Sequence, residues 1–270
     1  MSRALVFDLD GTLADTLADV AGAMNRSLAR AGLPGHAPGA YRFLIGDGVV
    51  ELARRALPPG SALRLDEIVA GFREIYAEHL LDETKPYPGI PELLAELRAR
   101  KVPSAVLSNK PEDATRAIVD RLFPAHSFAT VAGQRPDRPR KPDPTVALAI
   151  ARDLGVPPAE TLLVGDSKTD MLTATAVGMV PIGVLWGFRD RAELEAHGAR
   201  AVIERPSELL EWLDSLSPWP HEFGLERMRA LLAELGDPQN AYPAVHVGGT
   251  NGKSTATITI EQLLLAVGLS

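Results

Sequence analysis

Asp8 and Asp10 stand one residue apart in Phe7-Asp8-Leu9-Asp10-Gly11-Thr12, directly after the short apolar run Ala4-Leu5-Val6-Phe7. Such a run suits a buried strand. Carboxylates at the carboxyl end of a buried strand lie where open α/β sheets bind their ligands. Gly11 lets the backbone leave that strand by a route a Cβ would obstruct. Taken alone, the segment reads equally well as an Asp-rich turn. Three further signals fall at strand ends. Ser108-Asn109 follows Ala105-Val106-Leu107, Lys141 opens Lys141-Pro142-Asp143-Pro144 before a helix, and Gly165-Asp166-Ser167-Lys168-Thr169-Asp170 follows Leu162-Leu163-Val164. Brought to one crevice, they assemble four carboxylates, one lysine and one hydroxyl.

Four carboxylates share a dry site as anions only if a cation offsets their repulsion. Hard oxygen ligands suit Mg²⁺, which binds through a few carboxylates together with substrate phosphate. A lysine and a hydroxyl suit the phosphoryl oxygens. The set is equipped for phosphoryl transfer by positioning and charge stabilisation. The chain has no cysteine and no histidine beside any of these motifs, so the candidate nucleophile is a carboxylate. Arg42 and Arg54 are candidates for an anionic group of the substrate, against the commoner role of surface arginines. Lys110 reads either as approaching the site or as opening a solvated helix. Lys168 reads as a surface residue, Trp186 and Phe188 as packing residues, and the scattered histidines as solvated or locally bonded.

These residues need a frame to position them. Leu13, Leu17, Val20, Ala21, Met24 and Leu28 recur at helical spacing, and further amphipathic stretches span Val49 to Leu57 and Leu65 to Leu81. Residues 14–83 therefore read as a helical insert without strands. From Tyr87 onward, helices and strands alternate. Strands are expected at Ser104 to Leu107, Phe128 to Val131, Thr161 to Val164, Val180 to Leu185 and Ala201 to Ile203. Alternation of this kind implies a parallel sheet covered on both faces. An insert leaving the first strand beyond its aspartates would hang over the sheet's carboxyl edge as a cap.

The 270-residue chain is 46% hydrophobic with a formal net charge of −7. That balance argues against nonspecific binding to nucleic acid or anionic membrane. The most apolar stretch, Ala176 to Trp186, is broken by Gly178, Pro181 and Gly183 and is too short to span a bilayer. With no long apolar segment at the N-terminus, a cytoplasmic protein is expected.

The four motifs, in this order, resemble those of the haloacid dehalogenase-like phosphatases, over about residues 1–216. The resemblance implies an α/β fold: a Rossmann-like parallel sheet from residues 1–13 and 84–216, with 14–83 as an inserted helical cap. It implies Asp8 as the nucleophile forming an aspartyl-phosphate and Asp10 as the acid and then the base. Ser108 and Lys141 would hold phosphoryl oxygens, with Gly11 and Asn109 lining the phosphate site. Mg²⁺ would be held by Asp8, the Asp10 backbone carbonyl and Asp166, supported by Asp170. Ile45-Gly46-Asp47-Gly48-Val49, Ser108-Asn109-Lys110-Pro111 and Val184-Leu185-Trp186-Gly187-Phe188 are similar to the phosphoglycolate phosphatase group. The expected partner is a small phosphorylated metabolite.

A second signal lies in residues 217–270. Ser217-Pro218-Trp219-Pro220 reads as a linker, Leu225 to Leu235 as a helix and Ala244 to Val247 as a strand. The loop Gly248-Gly249-Thr250-Asn251-Gly252-Lys253-Ser254 then precedes an apolar helix, the context a phosphate-cradling loop needs. Val247 stands where the usual spacing requires its first Gly. The segment resembles instead the N-terminus of folylpolyglutamate synthase and the Mur ligases. Gly249, Gly252, Lys253 and Ser254 are its candidate nucleotide-binding residues. The alternative function is thus an ATP-binding ligase fragment fused to a phosphatase-like domain. Completeness of the first motif set favours the phosphatase.

Overall fold

The computed structural model describes residues 3–215, 232–234, 236 and 253–266. The chain divides into two compact units, Met1–Leu216 and Ser217–Ser270.

The first unit is built on a parallel sheet. Its strands are β1 (Ala4–Phe7), β4 (Ser104–Pro111), β5 (Thr130–Gln134), β6 (Thr161–Gly165), β7 (Val180–Val184) and β8 (Ala201–Ile203). They lie in the order β5-β4-β1-β6-β7-β8. β1 is central, with Val6 opposite Ala105 of β4 on one side and Leu163 of β6 on the other. Chain order runs outward in opposite directions on the two sides of β1. That reversal opens a crevice at the carboxyl ends of β1, β4 and β6.

Helices on both faces explain why the strands read as continuous apolar runs rather than alternating ones. Leu5, Phe7, Leu162, Val164, Ile182 and Val184 face one layer, joined by Ile90, Leu93 and Leu97 of α4 (Ile90–Ala99) and Ile118 of α5 (Glu112–Leu122). Val6, Ala105, Leu107 and Leu163 face the other. There they meet Val146 and Ile150 of α6 (Thr145–Leu154) and Ala174 and Val177 of α7 (Lys168–Val177). The period of two along each strand decides which layer a residue joins. α8 (Arg191–Ala196) and α9 (Ser207–Ser215) complete the unit.

Between β1 and β4 stand α1 (Leu17–Arg30), α2 (Val49–Ala56) and α3 (Leu65–Glu78), with a 3-10 turn at Pro38–Phe43. They bury a hydrophobic cluster of their own, with Met24, Leu28, Tyr41, Leu52, Ile68 and Phe72 at its centre. Phe188, from the loop after β7, inserts into that cluster.

Several boundaries differ from the sequence reading. The insert is not wholly helical at its start: β2 (Ala14–Asp15) pairs antiparallel with β3 (Lys85–Pro86), so two crossings form a small ribbon. Leu13 packs into the sheet's core rather than onto α1. β5 begins at Thr130 rather than Phe128. β4 runs on to Pro111, so Ser108, Asn109 and Lys110 are strand residues rather than a turn after one.

In the second unit, Lys253–Ala266 is an apolar helix, with Ile258, Leu263 and Leu265 exposed. Gly249 and Gly252, the expected strand Ala244 to Val247 and most of the expected helix Leu225 to Leu235 lie outside the described residues. The side chains of Lys253 and Ser254 lie outside them as well. Among the described residues, no helix is long and apolar enough to cross a membrane.

Candidate active site

The crevice gathers Asp8 and Asp10 from just beyond β1, Asp166 from just beyond β6 and Ser108 from within β4. Lys141 comes from the loop between β5 and α6, and Asp170 from the first turn of α7. Of these, Ser108, Lys141 and Asp170 do not stand at strand ends as the sequence suggested. Asp8 continues the β1 ladder, its amide donating to Val164 O at 2.9 Å. One Asp8 oxygen accepts the Leu9 amide at 2.7 Å, and Lys141 Nζ pairs with Asp8 Oδ1 at 2.9 Å. The same ammonium donates to Asp170 Oδ1 at 2.6 Å. The other Asp170 oxygen accepts from the Ser167 amide at 3.1 Å and hydroxyl at 2.7 Å. Ser167 caps α7 in turn, so the start of that helix fixes both the aspartate and, through it, the lysine.

Asp8, Asp166 and Asp170 each offer a carboxylate oxygen within 4.8 Å of the others, and all three are buried. Asp166 Oδ2 accepts the Phe188 amide at 2.6 Å. Close packing of these acids depends on missing side chains. Gly11 has φ +80°, and a Cβ there would lie 2.2 Å from Asp166 Oδ2. A Cβ on Gly165 would lie 2.2 Å from Asp170 Cγ. Burial, then the charge of Asp170, lifts Asp8 from 3.8 to about 7, against the pull of Lys141. Burial, then the charges of Asp170 and Asp8, hold Asp166 well above the usual carboxylate range. A divalent cation among these oxygens would relieve both, and hard carboxylates are the donors Mg²⁺ takes.

Asp10 faces another way. Its carboxylate accepts the Thr16 hydroxyl at 2.7 Å and Lys110 Nζ at 2.9 and 3.2 Å. Lys110 is buried, its ammonium 4.7 Å from the centre of the Tyr76 ring on α3. The Asp10 charge raises its pKa against the effect of burial. Of the two readings the sequence left open for Lys110, the structure has the one in which it approaches the site. What the sequence left undecided was the length of β4, which carries Lys110 on past Ser108 with a register shift between Leu107 and Pro111.

Gly11 and Asn109, the expected phosphate-lining residues, are both engaged within the protein. The Gly11 amide donates to Ala14 O at 3.1 Å. Asn109 Nδ2 donates to Gly46 O and Lys141 O, each at 3.1 Å, tying the cap loop to the lysine's backbone. The Ser108 hydroxyl accepts the Lys110 amide at 3.2 Å.

The cap closes over the crevice through loop Ile45-Gly46-Asp47-Gly48. Arg189 donates to the backbone oxygens of Arg42 and Ile45, and Arg42 donates to Gly187 O at 2.7 Å. Arg140 donates to Asp47 O at 2.7 Å. Arg54, offered by the sequence as an anion ligand, is instead exposed and paired with Glu51. Lys168 is exposed, as expected, and Trp186 packs on the core while its Nε1 donates to Thr12 O at 2.9 Å. His126 is bonded locally to Ser104 and Leu94. Beneath the cap a cavity of about 50 Å³ is left, lined by Asp8, Asp10, Ser108 and Lys110 and by apolar side chains including Val49 and Phe72.

The chain is similar to known proteins. A model of the haloacid dehalogenase-like hydrolase family matches residues 5–184. A phosphoglycolate phosphatase of Pseudomonas putida is 34% identical over 226 residues, covering 81% of this chain and 79% of the relative. One from Rhodospirillum rubrum is also 34% identical, over 83% of this chain and 96% of its own length. Among solved structures, a haloacid dehalogenase-like family hydrolase from Streptococcus pneumoniae superposes with a TM-score of 0.71 at 25% identity, covering 78% of this chain and 98% of that one.

Proposed function

The chain belongs to the haloacid dehalogenase-like hydrolases, and we propose that it is a Mg²⁺-dependent phosphatase acting on 2-phosphoglycolate or a similarly small phosphate ester. The observation that carries this reading is the shared ammonium of Lys141 between Asp8 and Asp170, beside an acidic cluster that includes Asp166. It supplies a nucleophile, a cation for phosphoryl oxygens and a metal seat within one buried crevice.

In this reading an Asp8 oxygen attacks phosphorus as the bond to the leaving oxygen breaks. Asp10 delivers a proton to that leaving oxygen. The resulting Asp10 carboxylate then takes a proton from water. The water oxygen attacks phosphorus, the Asp8–phosphorus bond breaks, and inorganic phosphate departs. Ser108 and Lys141 hold the phosphoryl oxygens meanwhile, and Asp170 keeps Lys141 in place. Asp8, Asp166 and the Asp10 carbonyl, with Asp170 in support, would hold Mg²⁺, whose charge offsets the carboxylates and the phosphate when bound. Helices α1 to α3 serve as the cap, excluding bulk water over the crevice.

The ligase alternative finds no support in the family match, which ends at residue 184. The phosphatase reading is tested by phosphate release from 2-phosphoglycolate with and without Mg²⁺. Asp8→Asn should lower kcat by about 1,000-fold or more while circular dichroism stays unchanged. Wild-type turnover by that variant would overturn the assignment.

A further inference from the structure

Resting on that reading, we propose that Lys110 is the specificity residue of this site, receiving a second anionic group, a carboxylate, carried by the leaving part of the phosphate ester. Two observations place it there. The first is position. Asp10 must reach the leaving oxygen to protonate it, which sets that oxygen about 3 Å from the Asp10 carboxylate. Lys110 Nζ stands 2.9 Å from Asp10 Oδ1. A carboxylate one carbon beyond the leaving oxygen therefore falls within hydrogen-bond reach of the ammonium. Lys141, engaged with Asp8 and Asp170, lies on the phosphoryl side instead.

The second is the supply of cations. Besides Lys141, the cations lining the cavity are Lys110, whose three-donor ammonium is paired with Asp10, and Arg189. The Arg189 guanidinium is spent on the backbone oxygens of Arg42 and Ile45 and on Glu193. Arg42 is spent on Gly187 O, and Arg54 is out on the surface. The rest of the cap's lining is apolar: Val20, Val49, Leu52, Phe72 and the ring of Tyr76. An ammonium held against such a wall, where water cannot screen it, discriminates strongly between a charged and a neutral leaving group.

The test compares kcat/KM for 2-phosphoglycolate with that for 2-hydroxyethyl phosphate, which has a neutral CH₂OH in place of the carboxylate. Wild type should prefer the carboxylate. Lys110→Met should reduce that preference about 10- to 100-fold, the worth of one charge-assisted hydrogen bond, mostly through KM. Lys110→Gln, which keeps a donor toward Asp10 without the charge, should lose the preference equally and serves if the Met variant melts below assay temperature. Lys110→Arg should retain part of it. If both esters slow by the same factor in the neutral variants, Lys110 merely positions Asp10 and the proposal fails while the phosphatase reading stands. Equal use of the two esters by wild type would also overturn it. A wild-type protein that released phosphate from neither ester would overturn the phosphatase reading itself.

Discussion

Asp8 is held in a setting that penalises its charge even beside Lys141, and a divalent cation would relieve that penalty. Its folded pKa of about 7 lies above the ordinary 3.8, chiefly through burial and next through Asp170. A raised acid pKa means the folded state favours the protonated form. The stability this contributes is full below about pH 4 and is lost as pH rises through about 7. In EDTA, wild type should therefore lose on the order of 2–4 kcal/mol relative to Asp8→Asn between pH 4 and 8, read by urea denaturation. Saturating Mg²⁺ should flatten the difference. Parallel profiles for the two proteins in EDTA would show that Asp8 is not so strained. At this scale the acids, Ser108 and Lys141 were legible because each follows or precedes a recognisable strand or helix. Lys110 was left between two readings, because its approach depends on β4 running four residues further than its apolar stretch.

The elements divide the labour between a rigid sheet and a cap that must be tied to it. Asp19, buried in the first turn of α1, accepts the Glu83 amide at 3.0 and 3.1 Å. It also accepts the Thr84 amide at 2.8 Å and hydroxyl at 2.6 Å. It thus joins the chain entering the cap to the chain leaving it. Asp19→Ala leaves two amides and a hydroxyl without their acceptor and should cost roughly 2–4 kcal/mol in chemical denaturation. Hydrogen exchange at the Glu83 and Thr84 amides should quicken in step; unchanged protection there would refute the strap. Helical and strand spacing announced most elements within a few residues. The β2–β3 ribbon went unread because a two-residue strand has no periodicity, and its partner lies beyond the whole insert. Phe188 reads as packing in the sequence, yet only the fold seats its ring in the cap while its amide holds Asp166.

For the whole molecule, the four motifs, the sheet and the cap all fall within the unit Met1–Leu216. A chain ending at residue 216 should keep its Mg²⁺-dependent phosphatase activity within about threefold and unfold cooperatively. A large loss in soluble, folded protein would make residues 217–270 part of the catalytic unit. The sequence by itself determined that a parallel α/β sheet would form, since buried parallel strands write themselves as short apolar runs between amphipathic helices. It also determined which acids would end those strands, because local spacing carries that information. Tertiary structure alone decided the strand order that sets β1 between β4 and β6. It decided, too, that Lys141 would sit between Asp8 and Asp170 and Lys110 between Asp10 and Tyr76. These pairings join residues remote in sequence, and their charges are tolerable only once burial and mutual compensation act together, which no single segment can express.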